Sequence, residues 1–220
     1  MIVSLISFSI SSKIEDTVQT VSLPVSGKTI VLDAGHGYPD VGAESENGIE
    51  EANINLIITK KVQSLLEQSG CKVVLTRSDD NGIYDLNSNS IREKKVSDIK
   101  NRVKIGNESS ADAFISIHLN KIPQSQYYGW QTFFKENNKE SEELAKSIQE
   151  ELNNSIQKEN KREALKISGK YIVEHIEIPI TIVECGFLSN LEESNFLVQE
   201  EYQNKLAWGI YNGIMDYFYK

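Results

Sequence analysis

TIVLDAGHG, residues 29–37, is a run of β-branched and aliphatic residues that stops at a Gly-His-Gly turn. It reads as a buried strand that delivers its carboxyl end to a loop. Downstream, Ile54, Ile58, Val62 and Leu65 follow helical spacing from Glu51, and Gly70 is placed to end that helix before a second strand, KVVLT at 72–76. Strand, helix and strand make one βαβ unit, whose two strands must be parallel. The alternation continues outward from it. A polar loop at 78–91 leads to a helix at about 92–108, then come the strands AFISIH at 113–118 and GWQTFF at 129–134. A helix at 139–157 carries Leu144, Ile148 and Leu152, PITIVE at 179–184 is a buried strand, and Tyr202, Leu206, Ile210, Ile214 and Phe218 mark a closing amphipathic helix. The expected fold is a single α/β domain over 27–220, with a mostly parallel (mixed) central sheet flanked by helices on both faces.

The totals agree with one soluble core: 220 residues, 39% hydrophobic and 25% charged. A formal charge of -9 argues against nucleic acid, because phosphate binding needs a basic face, and Arg92 to Lys104 reads as a solvated helix face. Cys71 and Cys185 lie too far apart for a C-x-x-C metal box and read as buried small hydrophobes. MIVSLISFSISS, 1–12, has the length of a signal-peptide apolar region without a preceding Lys or Arg. Residues 1–26 are therefore expected to be the remnant of a signal peptide or anchor, or else an N-terminal strand, and export is the favoured reading.

In open α/β sheets the ligand crevice lies outside the carboxyl ends of the strands. His36 follows the first strand, His118 closes the third and Glu184 closes the last, while Glu51 opens the first helix with Glu50 as its competitor. Two imidazoles and one carboxylate, with a fourth position for water, match the ligand set of catalytic Zn²⁺ hydrolases. Singly, each residue has an ordinary structural explanation; their coincidence points to a metal site. His175, before the last strand, reads as structural, and GKT at 27–29 precedes its strand and is no phosphate loop.

VLDAGHGYPDVGA, EEANINL, ADAFISIHLN and IVECGFLSN, in that order, resemble the N-acetylmuramoyl-L-alanine amidase family of zinc peptidoglycan hydrolases. REKKVSDIKNRVKIGNESSADAFISIHLN and GWQTFF resemble its germination-specific spore-cortex branch, which acts on the route to muramic-δ-lactam. The resemblance implies Zn²⁺ held by His36, Glu51 and His118, with Glu51 chosen over Glu50 by its register to Asn55-Leu56. It also implies Glu184 as the catalytic base and cleavage of the amide between the muramic lactyl group and L-alanine. Arg102 and Asn120 lie in the family-like blocks and are candidates for substrate binding. Loops 38–50 and 121–128 are expected to line a groove, where Tyr127, Tyr128 and Trp130 read equally as sugar-stacking rings or as core or hinge packing. Ala34, where relatives commonly have Pro, and Lys121, after HLN, depart from the pattern. The expected setting is the cell envelope or spore cortex side of the membrane, with peptidoglycan as substrate, an accessory or activating protein as partner, and no membrane integration beyond an N-terminal anchor. The competing readings are another zinc peptidase or carboxypeptidase, and a catalytically silent wall-binding regulator.

Overall fold

The computed structural model describes residues 22–220. The expected export segment lies mostly outside them, although Val25, within 1–26, is fully buried in the core. Six strands form one sheet: β1 (Thr29–Ala34), β2 (Lys72–Leu75), β3 (Ala113–Asn120), β4 (Gln131–Lys135), β5 (Leu165–Ile167) and β6 (Ile180–Phe187). Their order is β2-β1-β3-β6-β4-β5. β4 runs antiparallel to β6 and every other pair is parallel, so the sheet is mixed.

The helices are α1 (Glu51–Gln68), α2 (Ile91–Glu108), α3 (Lys139–Ile156), α4 (Tyr171–His175), α5 (Leu191–Leu197) and α6 (Glu200–Tyr219). Alternation along the strands sorts them into two layers. Ile115 and Ile117 of β3 and Val183 of β6 share the larger core with Ile58 and Val62 of α1, Ile148 and Leu152 of α3, and Ile210 of α6. On the opposite face, Phe114 and Ile182 pack with Val103 of α2 and with Ile172 and Val173 of α4. β5, α4 and α5 are absent from the sequence reading because three to seven residues are too few to show a period.

α3 and α6 pack unusually closely. A Cβ on Gly209 would lie 2.9 Å from the Leu152 Cα, and one on Gly213 would fall inside the contact shell of the Ile148 Cα. Both obstacles are backbone and cannot rotate away. Alanine would gain about 1 kcal/mol of helix propensity, but overpacking of this kind costs about 1–3 kcal/mol and forces the helices apart. Gly213→Ala is therefore expected to lower the urea midpoint without changing the slope of the transition, and a midpoint at or above the wild-type value would contradict this packing.

Candidate metal centre and catalytic carboxylate

His36 sits just past β1 with a left-handed φ of 62°. A side chain other than glycine, asparagine or aspartate rarely adopts that region unless its surroundings hold it there. Two buried arginines do so. Arg102, 3% exposed, donates from Nη1 to Asp33 Oδ1 at 2.6 Å and to the Ala34 carbonyl at 2.7 Å, and from Nη2 to the His36 carbonyl at 2.5 Å. Its Nε donates to Asp98 at 2.6 Å. Arg77, also buried, donates to the carbonyls of Ala34, Gly35 and Ala52 at 2.8, 3.1 and 2.7 Å. With every guanidinium nitrogen engaged by protein, Arg102 has no free donor for substrate; it positions the turn that carries His36.

Glu51 is the first residue of α1 and is 3% exposed. Each of its oxygens faces one imidazole: Oε1 lies 2.9 Å from His118 Nδ1 and Oε2 lies 3.3 Å from His36 Nε2. The main-chain N–H groups of Leu119 and Ala43 donate to the same carboxylate at 3.0 and 2.8 Å. Burial opposes its charge, but His118 and His36 outweigh burial and hold the carboxyl well below the usual range. Glu50, the competitor, occupies the N-cap position and accepts from Asn53 Nδ2 at the surface. Helix phase thus turns Glu51 inward.

Asp40 accepts a 3.0 Å hydrogen bond from His36 Nδ1 and pairs with Lys95 at 2.8 Å. Burial lowers the His36 pKa, but Asp40 and Glu51 overcome it and raise it to about 9. The donor atoms of His36, Glu51 and His118 lie within 4.8 Å of one another, a set that could hold a metal ion. The cradle is tight: a Cβ on Gly42, at φ 73°, would lie 2.6 Å from Glu51 Oε2 and 2.7 Å from the His36 ring.

Glu184 pairs across the sheet with His118 on one side and Gln131 on the other. Both β3 and β6 run past the expected strand ends, and the ladder shifts register between His118 and Asn120, an irregularity of the kind that redirects side chains beside active sites. Glu184 Oε2 is shielded from solvent without a hydrogen-bond partner among the described residues, and burial raises the carboxyl pKa. With His36, Glu51, His118 and Asn120 it lines a cavity of about 470 Å³ whose other wall is apolar.

A family model described as N-acetylmuramoyl-L-alanine amidase matches residues 30–216. The chain belongs to the N-acetylmuramoyl-L-alanine amidase family. This amidase is 39% identical over 197 residues to the germination-specific N-acetylmuramoyl-L-alanine amidase of Bacillus subtilis (strain 168), covering 90% of this chain and 82% of that protein. It superposes with a TM-score of 0.84 and 46% identity on the CwlD amidase of Clostridioides difficile, solved in complex with the GerS lipoprotein, over 86% of this chain and 98% of that one. A further N-acetylmuramoyl-L-alanine amidase, from Clostridium difficile 630, matches with a TM-score of 0.75 and 30% identity over 86% and 96% of the two chains.

The remaining candidates of this amidase separate. Trp130 is fully buried and donates to Asn153 at 2.7 Å, so it serves the core. Tyr127 and Tyr128 are exposed, with Arg162 over the first ring and Lys158 over the second. His175 is exposed at the end of α4 and bonds the Tyr171 carbonyl. Cys71 and Cys185 are free and buried. Asp40 and Arg77 escaped the sequence reading; the acid four residues after His36 was the one available signal.

Glu193 was missed as well. It is 2% exposed and accepts from the N–H of Gly129, just before β4, and of Phe187, at the end of β6, both at 2.7 Å. It thereby staples the two strands that pair through Glu184. Burial pushes its carboxyl up to about 7, against these two donors, from an ordinary value of 4.5. Between those values the native state binds more proton than the unfolded chain, so this group stabilises most below about pH 4.5 and progressively less as pH rises through 7. The unfolding free energy of wild type relative to Glu193→Gln is expected to fall by ~3 kcal/mol over that interval, at about 1.4 kcal/mol per pKa unit. Denaturation of both proteins from pH 4 to 8 measures it, and a difference independent of pH would refute the shift.

Proposed function

We propose that this chain is a zinc-dependent amidase that hydrolyses the amide between the muramic acid lactyl group and L-alanine, with His36, Glu51 and His118 holding Zn²⁺ and Glu184 as general base. The observation that carries this reading is the pairing of a three-donor N,N,O cradle with an orphaned carboxylate on the adjacent strand. That donor set suits zinc in a catalytic site, which keeps a position open for water. When bound, Zn²⁺ supplies Lewis acidity, polarising the amide carbonyl and making water a nucleophile near neutral pH. Glu51 keeps both oxygens directed at the imidazoles through the Leu119 and Ala43 amides. Asp40 fixes the His36 tautomer by accepting from Nδ1, so that Nε2, which faces Glu51 Oε2, would offer its lone pair to the metal. Glu184 accepts the attacking water's proton and returns it to the departing alanine amine, a role suited to a carboxyl whose pKa burial has raised. Asn120, on the cavity wall, is placed to orient the substrate.

The germination-specific relative and the lipoprotein-bound relative support a role in spore cortex, on the route to muramic-δ-lactam, with an accessory protein as partner. Action on the wall would put the enzyme outside the cytoplasmic membrane, with an export or anchoring segment within residues 1–26, of which Val25 already packs in the core of the catalytic domain. Among the described residues no helix is long and apolar enough to cross a membrane.

Mass spectrometry of peptidoglycan digested by the zinc-loaded enzyme is expected to show intact stem peptides released from muramic acid. Glu184→Ala should retain zinc and lose about 10²-fold or more of the rate. Near-normal turnover in that variant would remove Glu184 from the mechanism, and cleavage within the peptide would identify a peptidase. Asp40→Asn is expected to weaken zinc binding about 10–100-fold in chelator competition while leaving the fold intact. Unchanged affinity would show that Asp40 has no part in orienting His36.

A further inference from the structure

We infer that Lys170 is a specificity residue that binds a carboxylate on the peptide side of the substrate, seated where the apolar wall of the active-site cavity meets solvent. The inference rests on the amidase reading above. Lys170 is the single Lys or Arg among the residues lining the cavity; among the described residues it makes no close ion pair, and the carboxylate its charge acts on across the cavity is Glu184. The other lysine and arginines around the site are committed: Lys95 to Asp40, Arg102 to Asp33 and Asp98, and Arg77 to main-chain carbonyls. The same cavity holds the carboxylates of Glu51 and Glu184 within a chain of net charge -9. Away from the metal-binding residues, Lys170 is the one side chain of the lining whose charge attracts an anionic substrate group.

The position of Lys170 is built. It occupies the N-cap of α4, and the preceding Gly169 N–H donates to Glu174 Oε1 at 2.9 Å, closing the turn. At the other end of α4, Lys135 Nζ donates to the carbonyls of Glu174 and Ile176 at 3.1 and 2.9 Å. Ile172 and Val173 anchor the helix in the smaller core. Lys170, itself exposed, is thus carried on a fixed element beside the cavity. The cavity that Lys170 and Glu184 both line is also walled by Phe133, Ile167, Ile172 and Ile182, which favours an uncharged, apolar segment such as the alanine methyl and its neighbouring backbone. A ligand that is apolar next to the scissile amide and acidic one residue farther along the peptide satisfies both features. An ammonium–carboxylate contact of this kind holds substrate and transition state alike, so it acts on KM rather than kcat.

The test compares two muropeptides that differ only in the second peptide residue, one with a free carboxylate and one with it amidated. Lys170→Met in the zinc-loaded enzyme is expected to raise KM about 10-fold for the free acid relative to the amidated substrate, with any change in kcat shared by both; Lys170→Arg should restore the preference. Equal losses on both substrates, or a loss confined to kcat, would overturn the assignment and make Lys170 a neighbour acting on Glu184. Wild-type enzyme that releases stem peptide from neither substrate would instead overturn the amidase reading, and this inference with it.

Discussion

The ion pair between Arg102 and Asp33, 2.6 Å long and at most 3% exposed on either side, is the constraint on which the site depends. Two charges removed from water cost several kcal/mol each, repaid only if their remaining donors and acceptors are satisfied. Here Ser116 and Thr76 donate to Asp33 at 2.6 and 2.7 Å, while Arg102 reaches Asp98 and the carbonyls of Ala34 and His36. Burial works against the Asp33 charge, yet Arg102 and the two hydroxyls keep its carboxyl below the ordinary range. The pair ties β1, β3, the residue after β2 and α2 to one point. Because any displacement strands a buried charge, the turn bearing His36 is left with a single arrangement, left-handed φ included.

The two faces of the sheet divide the labour. Helices α1, α3 and α6 cover one face with an extensive apolar core and supply the bulk of the hydrophobic stabilisation. The other face carries a smaller core and, along its strands, the alternate residues Asp33, Ser116, His118 and Glu184. α2 and the five-residue α4 cover it incompletely, which leaves the cavity. Among the described residues the buried side-chain polar atoms on that face meet partners, with Glu184 Oε2 the exception. An unpartnered buried carboxylate lowers stability, and proteins tolerate that cost where the group acts on a ligand.

Antiparallel entry of β4 completes the arrangement. It sets Gln131 beside Glu184, and Arg162 donates to Gln131 at 3.1 Å while packing over Phe187. Glu193 then joins the beginning of β4 to the end of β6 through two main-chain donors. Glu184 is thus held on a strand hydrogen-bonded on both sides rather than on a loop, which limits its excursions.

Periodicity in the sequence determined the class of fold, the long helices and the strands that carry His36, His118 and Glu184, because alternation and 3.6-residue spacing are local consequences of burying one face. The ordered motifs likewise determined the family. Register to Asn55-Leu56 already favoured Glu51 over Glu50, and helix phase turns it inward; tertiary structure alone decided that Arg102 braces a turn and Trp130 fills the core, that Asp40 and Arg77 hold His36 and its turn, that Lys170 lines the cavity, and that Glu193 staples β4 to β6. Those outcomes depend on helix phase, on the direction of β4 and on contacts between residues up to 69 positions apart, as in the Arg102–Asp33 pair. A local pattern records that a side chain is buried; only the packed chain determines what it is buried against.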